Sequence, residues 1–244
     1  MAISAIQGAH REDLGKSFRL EPIVDLITGK AIGHELLAGL WQCPAWKTEE
    51  WREWYGLLES LVPELLGKLD GLLFINTHGE QLLDTYIQRS LSMLKPQARR
   101  VVIEWTEYRF HSDRFVDVLC ELNTLRGCGF QLAVDDIGAG SGVDGLGRAG
   151  AINPQFCKID GTFFQRCRDQ GPEYLRGICQ HLALGGSRVV AEWVETEADY
   201  RLALAAGAHL GQGYFWSRGL QGLQPAGSQP AGLSGADIAE QGEG

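Results

Sequence analysis

Gln131-Leu132-Ala133-Val134-Asp135-Asp136-Ile137-Gly138-Ala139-Gly140 runs three apolar residues into two adjacent carboxylates and a glycine-rich loop. A short apolar run that stops at polar residues reads as a buried parallel strand meeting its loop. Neighbouring carboxylates repel each other unless a cation lies between them. An oxygen-rich pair at a strand end suits Mg2+ or Mn2+. The plainer reading is a strand ending in an Asp-rich turn. The choice depends on whether the same grammar recurs.

It recurs along the chain. Residues 72–76 are an apolar run ending in Asn76, 101–104 one ending in Glu104, and 188–192, apolar after Arg188, a strand ending in Glu192. Residues 156–160 are apolar except for Lys158 and Asp160. Residues 18–26 and 31–37, the second carrying Glu35, are joined by Thr28-Gly29-Lys30, a connection short enough for an antiparallel hairpin. A last short strand, 209–211, leads to Gln212.

Helical periodicity fills the intervals. Leu57, Leu58, Leu61, Leu65 and Leu69 mark one amphipathic helix, and Leu82, Leu83, Tyr86, Ile87 and Leu91 a second. Ser112 or Asp113 is placed to cap a third through Phe115, Val118, Leu119, Leu122 and Leu125. Pro172 opens a fourth, and Gly207 closes a last one through Leu202 and Leu204.

Eight strands alternating with helices predict an α/β fold, a (β/α)8 TIM-like barrel with an antiparallel first strand. Glu35, Asn76, Glu104, Asp135, Lys158, Glu192 and Gln212 recur at about the length of one βα unit, which is how such a barrel collects a site at its C-terminal mouth. A doubly wound open sheet is the competing architecture. It gathers its site at one crevice and has no need of polar groups from nearly every strand.

The 244 residues suit one large α/β domain or two small ones. Residues 1–16 read as a loose leader, 17–220 as the barrel, and 221–244, rich in Gly, Pro, Ser and Gln, as a disordered tail. A net charge of −9 argues against non-specific DNA binding. No run reaches the roughly 18 apolar residues of a membrane span, and the start has no signal-peptide pattern. Six cysteines without a Cys-x-x-Cys pair fit free thiols in a reducing cytoplasm. His34, His78 and His209 have no spacing of a zinc site. The Trp41, Trp46, Trp51 and Trp54 cluster reads as packing rather than a stacking platform or lid.

Brought to one mouth, Glu35, Glu104, Asp135, Asp136 and Glu192 are five carboxylates, with Asn76 and Gln212 as neutral donors and Lys158 as the one cation of the set. So many buried carboxylates without cations are electrostatically prohibitive. Two divalent metals resolve the problem and suit in-line attack of water on a phosphodiester. Lys158 is then placed to hold the water or neutralise developing charge.

The motifs resemble those of the EAL domains, cyclic-di-GMP-specific phosphodiesterases. They are Glu21-Pro22-Ile23-Val24-Asp25-Leu26, Glu35-Leu36-Leu37, Ile75-Asn76, Ile103-Glu104-Trp105-Thr106-Glu107, Asp135-Asp136-Ile137-Gly138-Ala139-Gly140, Lys158-Ile159-Asp160, Ala191-Glu192-Trp193-Val194-Glu195-Thr196 and Gln212-Gly213-Tyr214. The resemblance covers about 18–218. It implies two Mg2+ or Mn2+ ions and hydrolysis of cyclic-di-GMP to linear pGpG. It also implies a homodimer with a possible regulatory protein partner. Under it, Glu35, Asn76, Glu104 and Asp135 hold one metal, and Asp135, Asp136 and Glu192 the second. Lys158, Glu192 and Glu35 carry the chemistry. Glu107, Glu195, Gln212 and Asp160 steady loops and waters behind the ligands.

The chain departs from that pattern at several points. Gly39 stands where the family usually has a phosphate-contacting Arg, and losing one charge-assisted bond costs about 1.5–3 kcal/mol. Glu21 replaces a usual Gln. Ser141-Gly142-Val143-Asp144-Gly145 replaces the usual loop after the Asp pair. Trp193 replaces a usual Gly, where it either stacks on a guanine or narrows the pocket. These changes bear on substrate binding more than on metal chemistry. The alternative function is accordingly a catalytically silent module that binds cyclic-di-GMP or a protein.

Overall fold

The computed structural model describes residues 18–38, 48–106, 112–139 and 144–216. The leader and tail expectations, Gly39, Trp41, Trp46, Glu107 and residues 141–143 lie outside the described residues. The strands are β1 (Phe18–Asp25), β2 (Ala31–Ala38), β3 (Leu72–Thr77), β4 (Val101–Trp105), β5 (Gln131–Ile137), β6 (Phe156–Ile159), β7 (Arg188–Ala191) and β8 (Leu210–Gly211). They close in chain order into a barrel. β1 runs antiparallel to both β2 and β8, and every other pairing is parallel. The expected barrel and its reversed first strand are therefore observed, and the open-sheet alternative is excluded.

The helices are α1 (Thr48–Lys68), α2 (Gly79–Leu82), α3 (Thr85–Met93), α4 (Phe115–Gly127), α5 (Asp144–Ile152), α6 (Gly161–Gln170), α7 (Pro172–Leu184) and α8 (Glu197–Ala206). They pack outside the barrel through one continuous apolar layer, to which α1 contributes Trp54, Tyr55, Leu58, Leu61, Val62, Leu65 and Leu66. Trp54 is core, as expected for packing, and Trp51 meets His78 edge-on at 4.6 Å.

Inside the barrel lies a second apolar layer: Ile23, Phe74, Val102, Ala133, Phe156, Val190 and Leu210. Side chains of a strand alternate between faces with period two. The residue two steps on from each of these points the same way, one rung nearer the mouth. Those residues are Asn76, Glu104, Asp135, Lys158, Glu192 and Gln212, while antiparallel β1 contributes Glu21 two steps before Ile23. On β2 the corresponding inner position is Gly33, where a Cβ would collide with the Leu72 backbone. The apolar plug thus supports a polar layer above it.

Four local expectations are corrected. The helix expected through Leu82 to Leu91 is split, because Asp84 accepts hydrogen bonds from the backbone N–H groups of Tyr86 (3.0 Å) and Ile87 (3.1 Å) and starts α3 afresh. Neither Ser112 nor Asp113 is the N-cap of α4. Both belong to a 3-10 turn, and Arg114 occupies the cap position with its side chain turned to Asp117 rather than capping the backbone. Helices α5 and α6, rich in Gly or polar residues, escaped the periodicity argument. The last strand begins at Leu210 rather than His209.

Candidate active site

Lys158 is the centre of the polar layer. Its Nζ lies 2.6 Å from Glu104 Oε1, 2.7 Å from Glu192 Oε1, 3.0 Å from Glu35 Oε2 and 3.6 Å from Asp135 Oδ1. The side chain is 1% exposed. Burial alone would drive the ammonium toward neutrality, but Asp135, Glu104, Glu192 and Glu35 outweigh it and hold the pKa well above the ordinary lysine value. One positive charge cannot balance so many acids. Burial, relieved in part by Lys158, pushes Glu104 and Glu192 well above the usual carboxylate range. Burial and the Asp135 charge push Asp136 up to about 7. Glu35 shifts down, because Lys158, Gln212 and Asn76 overcome its burial.

Adjacent residues of a regular strand face opposite ways, yet Asp135 and Asp136 interact electrostatically. The backbone explains this. Between Val134 and Ile137, β5 spends three steps against two on β6, so one residue is extra. Asp136 takes up the kink with a φ of 59°. This bulge brings the second carboxylate to the mouth.

Beneath it, buried Arg148 of α5 donates from Nη1 to the Trp105 carbonyl (2.7 Å) and from Nη2 to the Asp135 carbonyl (2.8 Å). Its guanidinium also lies over the Trp105 ring. It ties together the ends of β4 and β5, which present Glu104 and Asp135. Sequence reasoning missed it. The available signal was a lone arginine in the small-residue helix 144–152.

Asn76 Nδ2 donates to Glu35 Oε1 (2.5 Å), while Gln212 Nε2 donates to Glu35 Oε2 (2.6 Å) and Glu21 Oε2 (2.9 Å). Arg19 pairs with Glu21 at 2.7 Å. Four buried acceptor atoms of this layer receive no hydrogen bond: Asn76 Oδ1, Glu104 Oε2, Asp135 Oδ1 and Gln212 Oε1. Among the described residues no three His, Cys, Asp or Glu side chains form a ready metal cage, since the carboxylates are drawn onto Lys158. The donor chemistry nevertheless fits hard divalent cations: surplus negative charge, all-oxygen ligands and unsatisfied acceptors.

Of the remaining candidates, Asp160 caps α6, accepting from Phe163 N–H at 2.8 Å, and its charge also reaches Asp136. The Glu195 side chain is exposed rather than gathered into the cluster. Its backbone N–H donates to Asp199 Oδ2 at 3.2 Å. Trp193, with φ 52°, stands on the rim. No helix among the described residues is long and apolar enough to cross a membrane.

Residues 57–219 match the model of the EAL domain family. In Escherichia coli K12, the oxygen sensor protein DosP is 34% identical over 109 residues, 43% of this chain and 13% of its own length. The cyclic di-GMP phosphodiesterase PdeF of the same organism is 33% identical over 95 residues, 38% of this chain and 12% of its own. The matched stretch is thus a small part of either relative. Klebsiella pneumoniae BlrP1, solved as a manganese and cyclic-di-GMP complex, superposes with a TM-score of 0.70 at 24% identity, over 84% of this chain and 56% of that one. That likeness establishes the barrel.

Proposed function

This chain belongs to the EAL domain family, and from that premise we propose that it is a metal-dependent phosphodiesterase opening cyclic-di-GMP to linear pGpG. The observation that carries the reading is the excess of buried carboxylates around a single ammonium, with acceptor oxygens left over. Two Mg2+ or Mn2+ ions would restore the balance. Glu35, Asn76, Glu104 and Asp135 would hold one, and Asp135, Asp136 and Glu192 the other. When bound, such ions acidify a water and stabilise charge on phosphoryl oxygens during in-line attack.

The protein groups then have separate tasks. Water adds to phosphorus, one bridging P–O bond breaks, and the ring opens as the departing ribose oxygen takes up a proton, which balances the proton lost by the attacking water. Lys158, kept protonated by its neighbours, donates to the attacking water or to the developing phosphoryl charge. Glu192 and Glu35 orient that water and accept its proton. Gln212 fixes the Glu35 carboxylate. The functional unit is the barrel over 17–220, acting in the cytoplasm as a homodimer under a regulatory partner.

A second reading, a silent cyclic-di-GMP receptor or protein-binding module, draws support from Gly39 and Glu21, which stand in the sequence where the family usually has an Arg and a Gln. Incubation with cyclic-di-GMP and Mn2+, with Glu35→Ala as control, decides between them. Accumulation of pGpG supports the hydrolase. Tight binding without pGpG selects the receptor.

A further inference from the structure

Trp193 directly follows Glu192, whose carboxylate touches Lys158. Its φ of 52° is left-handed, a conformation that bulky residues adopt only at a cost and that persists where function or surroundings demand it. The indole sits on Gly161, the first residue of α6, where a Cβ would overlap its ring. The Trp193 carbonyl accepts from Gln165 Nε2 at 3.1 Å. Trp193 is therefore held against the N-terminal half of α6 while remaining 53% exposed. A packing role would hide the ring, and a glycine would relieve the backbone. What remains is a flat aromatic face fixed one residue from the carboxylate cluster.

The mouth beneath is rich in acids, and the chain carries −9 overall. Away from metals it repels phosphates, so affinity has to come from contacts indifferent to charge. Stacking on an aromatic ring is such a contact. Resting on the phosphodiesterase reading, we propose that Trp193 determines specificity as a base-stacking platform. It receives one purine of a cyclic dinucleotide whose phosphodiester lies over the carboxylates, and Gly161 is the seat that sets the ring's position.

The test compares wild type, Trp193→Gly and Trp193→Phe as full chains with Mn2+. Calorimetry reads cyclic-di-GMP affinity, steady-state kinetics reads KM and kcat, and bis(p-nitrophenyl) phosphate serves as a diester without bases. Trp193→Gly should weaken cyclic-di-GMP binding about tenfold or more. Its preference for cyclic-di-GMP over the base-free diester should fall by a similar factor, with a Tm no lower than wild type. Trp193→Phe should recover most of the preference. Unchanged affinity in Trp193→Gly, or parallel losses on both diesters with a fallen Tm and no rescue by Phe, overturns the platform while leaving the hydrolase reading intact. A wild type that neither binds nor cleaves cyclic-di-GMP overturns both.

Discussion

Lys158 Nζ lies 2.6 Å from Glu104 Oε1, and the Glu104 side chain has no exposed surface. Removing one partner of a fully buried ion pair costs about 3–5 kcal/mol, because the remaining charge is stranded. Lys158→Met should therefore lower metal-free stability by about that amount and turnover by at least about a hundredfold. Mn2+ should raise the melting temperature of the variant more than that of wild type, since the ion then supplies the missing charge. Equal Mn2+ shifts in thermal melts of the two proteins would contradict this account.

Arg148 joins β4 to β5 through the carbonyls of Trp105 and Asp135. Each buried carbonyl left without a donor costs about 1–3 kcal/mol. Groups that orient ligands are worth roughly ten- to a hundredfold in metal affinity. Arg148→Leu should lose both stability and Mn2+ affinity, read by urea unfolding and by Mn2+ titration. Stability lost without any change in Mn2+ affinity would reduce Arg148 to a structural strut.

Gly161 and the Trp193 indole occupy adjoining space. Overpacking of this kind costs about 1–3 kcal/mol. Gly161→Ala should destabilise wild type by that amount and do markedly less harm in a Trp193→Gly background. A double-mutant cycle by chemical denaturation measures the coupling, which should exceed about 0.5 kcal/mol.

Asp199 is the third residue of α8 and completes the capping box of its N-cap Thr196; it is fully buried, accepting from the Thr196 hydroxyl (2.9 Å), the N–H groups of Thr196 (3.0 Å) and Glu195 (3.2 Å), and Arg168 (3.0 Å). Burial would raise its pKa, but Arg168 and the Thr196 bonds prevail and hold it below the ordinary 3.8. A depressed carboxylate stabilises the fold above its unfolded pKa and loses that contribution as pH falls through the folded value. Asp199→Asn should cost about 1–3 kcal/mol at pH 7, and the deficit should shrink below about pH 4. Urea midpoints across that range check the sign.

The polar ends of the strands were legible because the barrel obeys a local rule. Apolar runs that stop at Asn76, Glu104 and Glu192 report a buried strand reaching a mouth, and period two assigns the inner residues beneath them. The reversed first strand was legible in the short 28–30 turn. The chain alone thus determined the barrel, the order of its strands and the identities of the acids placed at one end. Tertiary structure decided which of them touch. The extra residue in β5 swings Asp136 beside Asp135, an α5 arginine crosses beneath both, and Gly161 seats Trp193. Each of these depends on pairing between elements distant in sequence, where backbone register and excluded volume, rather than local periodicity, set the position of a side chain.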